Sequence, residues 1–301
     1  MAAFSTADEI RHVSIPGSVE ISDDQLKLIQ QKLKEMFSDI SDAADKVGVR
    51  LILGGGSALG AVRNKGIIPW DDDIDLMVTR DSFDALISSI EKNYGDKYWI
   101  RTPGKTEGYN LLFTQIRMKG TSVKNRDDSG NTECGLPVDI FVIENTYDNG
   151  LKRFLHGVGC MYFGFAVSYR KFYKDRVFLT KFAKDSGSKK LRFVTGLKVA
   201  VGVLYSGRSL DKMVAKGDRW YSKCGDNDSR FITIPTGRLH FFGETYKRDP
   251  YLKLSEVTFE GVKTCVPGGT SDYLRNLYGD YESIPSEKDR EHHIYFEPFI
   301  I

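Results

Sequence analysis

Residues 71–75 read Asp-Asp-Asp-Ile-Asp, four carboxylates within five positions. Carboxylates packed this closely repel one another unless a positive charge sits among them. In an extended strand, side chains two apart share a face, so Asp73 and Asp75 are expected to project together while Ile74 and Leu76 enter the core. An extended path starting at Asp71 adds a third carboxylate. Asp139 repeats the pattern in Val138-Asp139-Ile140-Phe141, an acid between apolar neighbours. Acids on adjacent strands make a hard, oxygen-rich site for Mg²⁺ or Mn²⁺, with Asp71, Asp73, Asp75 and Asp139 as the expected ligands. A solvated acidic turn is the bland alternative, which the apolar alternation and the second isolated strand aspartate disfavour. A calcium loop is excluded by spacing, because Leu76 and Ser82 stand where glycine and glutamate are required.

Upstream, Gly55-Gly56-Ser57 falls between an expected strand and an expected helix. Backbone N–H groups at a helix N-terminus bind anions, so these residues could cradle phosphates, although a tight turn explains the glycines equally well. Taken with the two acidic strands, the order resembles that of the nucleotidyltransferase fold, and implies displacement on a nucleotide's phosphate chain with metals neutralising charge. Simple members of that fold have a shorter spacer than the sixteen positions from Ser57 to Asp73, and the extra residues here are RNKGIIPW.

The elements that must hold these groups are legible from periodicity. Leu26, Ile29, Leu33, Met36, Ile40 and Val47 keep to helical steps over 22–48, with Ser22 as N-cap and Gly48 as a left-handed terminator. A short strand over 49–53 follows, then a helix over 58–63, a strand over 73–78 and a helix over 81–93. Further strands are expected over 98–102, 111–118 and 138–143. This alternation reads as an α/β domain around a mixed sheet. The second half reads as helices, a strand-rich stretch around 231–236 and 257–266, and a short helix near 272–278.

Composition is globular, with 41% hydrophobic and 28% charged residues in 301. The net charge of +2 conceals segregation: residues 151–216 hold fifteen Lys/Arg against three acids, a balance of +12, and the other 28 bases and 38 acids give −10. That segment mixes its charges with aromatics, as in SYRKFYKDRVFLTKF, which suits an anionic bilayer surface; RNA would use the same charges and is disfavoured. The first seventeen residues show no signal-peptide run, and no apolar run is long enough to span a bilayer, so a cytoplasmic protein is expected. Four scattered cysteines, without CxxC, suggest reduced thiols.

The stretch GGSALGAVRNKGIIPWDDDIDL (55–76) closely resembles the core motif of the LicD family, whose bacterial members transfer phosphocholine from CDP-choline to surface glycans. Animal fukutin and fukutin-related protein, similar over the same motif, use CDP-ribitol. The likeness begins with the helix over 22–48, continues to Arg80, resumes over 136–143 and returns in VTFEGVKTCVPGGTSDYLRNLYGDYESIPSEKDREHH (257–293), but skips the basic segment.

The resemblance implies a DNA polymerase β-like nucleotidyltransferase sheet flanked by helices, with a basic helical insertion and a C-terminal α+β segment. The expected divisions are an extension over 1–20, a catalytic core over 21–150, the basic region over 151–216 and a completing segment over 217–301. It assigns Asp71, Asp73 and Asp75 to metal and donor pyrophosphate, and Gly55, Gly56 and Ser57 to the phosphate cradle. Asp139 becomes a further metal ligand or the base for the acceptor. Arg63 and Lys65 could neutralise phosphate, Trp70 could stack on a base or a quaternary ammonium, and Arg290, His292 and His293 could reach phosphate or move a proton.

The implied partners are a CDP-alcohol, CDP-choline foremost, and a cell-surface glycan acceptor, lipid-linked or free, at the inner face of a bacterial membrane, or in the Golgi for a eukaryotic source. Rival readings are a nucleotidyltransferase releasing pyrophosphate from an NTP, a DxD glycosyltransferase, and a non-catalytic binding relative.

Overall fold

The computed structural model describes residues 18–125, 128, 131–287, 290 and 295–301. Helix α1 (Asp23–Asp45) starts at Ser22 with a full capping box: the Ser22 hydroxyl accepts from the Gln25 N–H and the Gln25 side chain accepts from the Ser22 N–H. Gly48, at φ 67°, ends the turn that follows it. The α1 stripe of Ile29, Leu33, Met36, Phe37 and Ile40 is fully buried. Burying each such side chain contributes about 1.5–3 kcal/mol.

Strands β1 (Ser18–Val19), β2 (Ile52–Leu53), β3 (Asp75–Thr79), β4 (Tyr98–Arg101), β5 (Thr114–Met118), β6 (Ser122–Lys124) and β7 (Pro137–Thr146) occupy the first half, with α2 (Gly55–Arg63) and α3 (Arg80–Tyr94) between them. Four helices follow: α4 (Gly150–Lys174), α5 (Arg176–Asp185), α6 (Lys189–Val203) and α7 (Leu210–Tyr221). Then come β8 (Phe231–Thr233), α8 (His240–Gly243), β9 (Thr245–Lys247), α9 (Arg248–Leu252), β10 (Ser255–Phe259), β11 (Val262–Val266), α10 (Thr270–Tyr278) and β12 (Tyr295–Ile300).

The main sheet is mixed, ordered β10-β11-β2-β3-β7-β5-β4, with β8 and β9 continuing from the far end of β7. The central β3 and β7 run parallel and pair Asp75 with Asp139; the remaining links are antiparallel except β11 with β2. A small second sheet joins β1, β12 and β6. The expected alternation is present with moved boundaries. The strand near 73 begins at Asp75, because residues 71–74 take no strand pairing, and α2 begins at Gly55 rather than 58, so the glycines form the helix's first turn.

The basic segment is helical, α4 packing on α6 and α7. Small cores join it to the rest: Leu112 packs against Ala166, Val167, Leu210, Met213 and Val214, and Cys160 and Tyr221 meet Phe241. Its firmest polar tie is Arg80, which binds Glu144 of β7 through both Nε and Nη2 and reaches Asp218 of α7 at 3.1 Å. Burial pushes the Glu144 carboxyl up, and Arg80 pulls it back down. The four cysteines are free thiols, three of them buried. Among the described residues no helix is long and apolar enough to cross a membrane.

Candidate active site

The acidic segment reaches its place because three elements hold it. The Gln30 amide of α1 donates to the Asp71 carbonyl at 2.9 Å and to the Ile68 and Pro69 carbonyls. Glu260, at the β10–β11 turn, accepts from the Ile67 N–H at 2.9 Å. The Ser57 hydroxyl accepts from the Asp75 N–H at 2.9 Å, and the Asp75 carbonyl accepts from the Gly54 N–H. The RNKGIIPW spacer is thereby tied to the first helix and to the C-terminal hairpin, and it delivers Asp71 to the start of α2.

Ile74 and Leu76 are fully buried while Asp71, Asp73 and Asp75 are half-buried, the alternation that periodicity requires. One oxygen from each of Asp71, Asp72 and Asp73 falls within 4.8 Å of the others. Asp72 was absent from the expected ligand set. A period-two reading turns it away, but residues 71–74 are not in the strand, so their side chains can converge. Asp72 is buried, and the Tyr295 hydroxyl of β12 bonds to it, with Asp73 and Asp139 also acting on that tyrosine. Asp75 and Asp139 stand side by side in adjacent strands.

The glycines have a role that the sequence reading missed. A Cβ on Gly55 would lie 2.5 Å from an Asp75 carboxylate oxygen, and one on Gly56 would lie 3.0 Å from an Asp71 oxygen. Gly55 also takes φ 43°. Two carboxylates therefore approach the first turn of α2 closely, where the helix dipole favours negative charge. The Gly55 N–H itself donates to the Tyr273 hydroxyl at 3.0 Å, and Ser57 is spent on the Asp75 backbone.

Asp139 accepts from the Gln115 amide at 2.8 Å. The other end of that amide is fixed, since its oxygen accepts from Arg117 Nε at 3.0 Å and Nη2 at 2.8 Å. Arg117 is buried and ion-paired to Asp128 at 3.0 Å. A β-strand glutamine and arginine two apart carry little signal in sequence; only the pairing of β5 with β7 brings them to Asp139.

The Trp70 ring carries two guanidiniums, Arg290 at 4.3 Å and Arg63 at 5.7 Å from its centroid. Arg63 also donates to the Tyr281 carbonyl at 3.1 Å, and the buried Arg290 Nε has no partner among the described residues. Lys65 is exposed in a left-handed turn at φ 62°. His292 and His293 lie outside the described residues.

Beneath the glycine turn lies Tyr273, and beyond it Glu244, whose carboxylate accepts from the Leu239 N–H at 2.8 Å. Burial pushes the Glu244 carboxyl up to about 7 from 4.5. A carboxyl raised on folding stabilises below its unfolded value, and that stability is lost as pH rises through about 7. Denaturation from pH 5 to 8 should show wild type losing on the order of 3 kcal/mol relative to Glu244→Gln, which keeps the acceptor oxygen but cannot ionise.

Residues 48–152 match the family model described as LicD/FKTN/FKRP, nucleotidyltransferase domain. Over 265 residues the chain is 25% identical to the lipopolysaccharide cholinephosphotransferase LicD of Haemophilus influenzae, covering 83% of this chain and 88% of that protein. The matched span contains the spacer, the converging aspartates, the α2 glycines and Asp139, so the chain carries a LicD family domain.

Proposed function

We propose that the chain transfers a phospho-alcohol, phosphocholine foremost, from a CDP-alcohol to a hydroxyl of a cell-surface glycan such as teichoic acid, lipopolysaccharide or capsule, releasing CMP. The observation that carries this reading is the cluster of Asp71, Asp72 and Asp73, with Asp71 and Asp75 against the first turn of a glycine helix and Asp139 paired beside Asp75, within a span that matches the family model. The H. influenzae relative, named for choline-phosphate transfer on lipopolysaccharide, supports the choice of alcohol and acceptor.

The donor set fits Mg²⁺ or Mn²⁺, being all oxygen and closely spaced. Asp71, Asp72 and Asp73 would hold the ion, with Asp75 and Asp139 beside them; when bound, it neutralises charge on the pyrophosphate. The guanidiniums of Arg63 and Arg290 bind and orient the donor's phosphates, Trp70 positions both arginines, and the first turn of α2, its Gly55 N–H and Ser57 hydroxyl already bonded, holds Asp71 and Asp75 in place instead of cradling phosphate. Asp139, oriented by Gln115, accepts the proton of the acceptor hydroxyl. The acceptor oxygen bonds to the distal phosphorus, the bond from that phosphorus to the bridging oxygen breaks, and CMP leaves with the bridging oxygen. Incubating the protein with CDP-choline, CDP-ribitol and CDP-glycerol should give Mg²⁺-dependent CMP from one of them. Pyrophosphate released from an NTP would instead establish the nucleotidyltransferase reading, and turnover of neither class the binding-protein reading.

The same reading places the protein peripherally on an anionic bilayer, the inner face of a bacterial membrane. Leu151, Phe154, Leu155, Val158, Tyr162 and Phe165 form one exposed stripe along α4, in the segment of +12 charge. Phe154 meets the exposed Phe242 of α8 at 5.9 Å. The chain just before α8 reaches the active site, with Arg238 over the Tyr278 ring and the Tyr278 hydroxyl beside Gly55. The protein should co-sediment with phosphatidylglycerol-containing vesicles and much less with neutral ones, binding falling as salt rises. Phe154→Ser with Phe242→Ser should lower the bound fraction about tenfold or more; undiminished sedimentation would count against this surface.

A further inference from the structure

Four side chains stand in one row across the sheet. Arg101 of β4 pairs in register with Gln115 of β5, Gln115 with Asp139 of β7, and Asp139 with Asp75 of β3. Registered residues project to the same face of a sheet, and neighbouring strands lie roughly 4.8 Å apart, so the Arg101 backbone stands roughly 10 Å from that of Asp139. The glycine helix, with Asp71 and Asp75 against its first turn, packs at the Asp75 end of this row. At the other end, beyond Gln115, is a cavity of about 350 Å³ lined by Arg101, Tyr109, Asn110, Asn131 and Glu133. Its size falls within the range of roughly 300–1,000 Å³ for small-molecule sites.

The lining is built. Arg101 is 5% exposed; its Nη1 donates to Glu133 at 2.7 Å and Asn131 at 3.1 Å, and its guanidinium lies 5.4 Å from the Tyr109 ring centroid. Its Nε is buried with no partner among the described residues. The polar side chains of the wall that keep access to the cavity include Asn131, Thr132 and Glu133. The charges balance, Arg101, Arg117 and Lys174 against Glu107, Asp128 and Glu133. That balance does not favour a pyrophosphate, and a guanidinium in the wall opposes a quaternary ammonium. A neutral, hydroxyl-rich ring with one apolar face to set against an aromatic suits the amides, carboxylates and tyrosine.

We propose that this cavity is the acceptor subsite and takes a single glycosyl residue of the acceptor glycan, presenting one of its hydroxyls to Asp139. The proposal deepens the phosphotransfer reading and rests on it for the role of the bound sugar. Donor and acceptor would enter from opposite ends of the Arg101-Gln115-Asp139-Asp75 row, which suits in-line displacement at phosphorus. Gln115 joins the two halves, its amide nitrogen on Asp139 and its side chain in the cavity wall. Lys174 brings the basic helical segment into the same wall.

Ligand-observed saturation-transfer NMR on the full chain tests this without turnover, using methyl glycosides of glucose, galactose, mannose and their N-acetylated amino sugars as probes. At least one glycoside should receive saturation, and CMP should not displace it. Thr132→Trp, placed at the exposed rim to fill the cavity, should reduce the signal at least fivefold with an unchanged melting curve; Arg101→Gln should also reduce it, but with a lowered melting temperature, because it breaks the bonds to Glu133 and Asn131 that shape the wall. With an active donor and an oligosaccharide acceptor, Thr132→Trp should raise the acceptor KM tenfold or more and the donor KM less than twofold. Absence of saturation for every glycoside, a signal undiminished in Thr132→Trp, or displacement by CMP would each overturn the proposal. Glycoside binding without turnover of any CDP-alcohol would leave the sugar pocket standing and remove the phosphotransfer reading instead.

Discussion

Asp73→Asn and Asp75→Asn should each lower Mg²⁺-dependent CMP release by about a thousandfold or more, equivalent to about 4 kcal/mol of transition-state stabilisation. Each change keeps side-chain volume and removes one negative charge from a group already crowded by its neighbours. Folding should be retained or slightly improved, because relief of carboxylate repulsion favours the metal-free protein. The two effects therefore run in opposite directions, and measuring both separates loss of chemistry from loss of structure. Asp72→Asn is distinguishable: Asp72 is buried against Tyr295, so its loss should also disturb the small sheet that carries that tyrosine. CMP release that survives in Asp73→Asn and Asp75→Asn would remove the assignment of catalysis to this cluster.

Arg80→Met should destabilise the fold by about 3–5 kcal/mol, the cost of leaving a buried carboxylate without its partner. Glu144 is 1% exposed and depends on Arg80 for its charge, while Asp218 shares the same guanidinium from the helical segment. Urea denaturation should show the deficit shrinking as pH falls, since burial raises the Glu144 carboxyl and an unpartnered Glu144 takes up a proton. The sign follows from the raised folded value: the native variant binds the proton more readily than its unfolded chain, so acid favours it. Arg80→Met combined with Glu144→Leu should recover most of the loss, because an apolar pair of similar volume has no charge to desolvate. A deficit in Arg80→Met independent of pH would show that packing, not the stranded charge, governs this site.

Secondary structure was legible where local rules act alone. The capping box at Ser22, the left-handed Gly48 and the fully buried stripe from Ile29 to Ile40 follow from a few residues each. The basic segment read correctly as helical, because its helices are stretches of ordinary periodicity. Boundaries near the site shifted for a physical reason. Gly55 and Gly56 have poor helix propensity, yet they open α2 because any side chain there would strike Asp75 or Asp71.

Composition and order within 301 residues determined the clustered carboxylates, the glycines ahead of them, the isolated Asp139, the charge segregation and the α/β alternation. These follow from residue types and short-range periodicity, which need no knowledge of partners far along the chain. Tertiary structure alone decided that Asp72 joins Asp71 and Asp73, that Gln115 and Arg117 orient Asp139, and that Arg290 returns across more than two hundred residues to stack on Trp70. It also decided the row from Arg101 to Asp75, because register between strands is set by how buried faces pack and not by any one strand's own sequence.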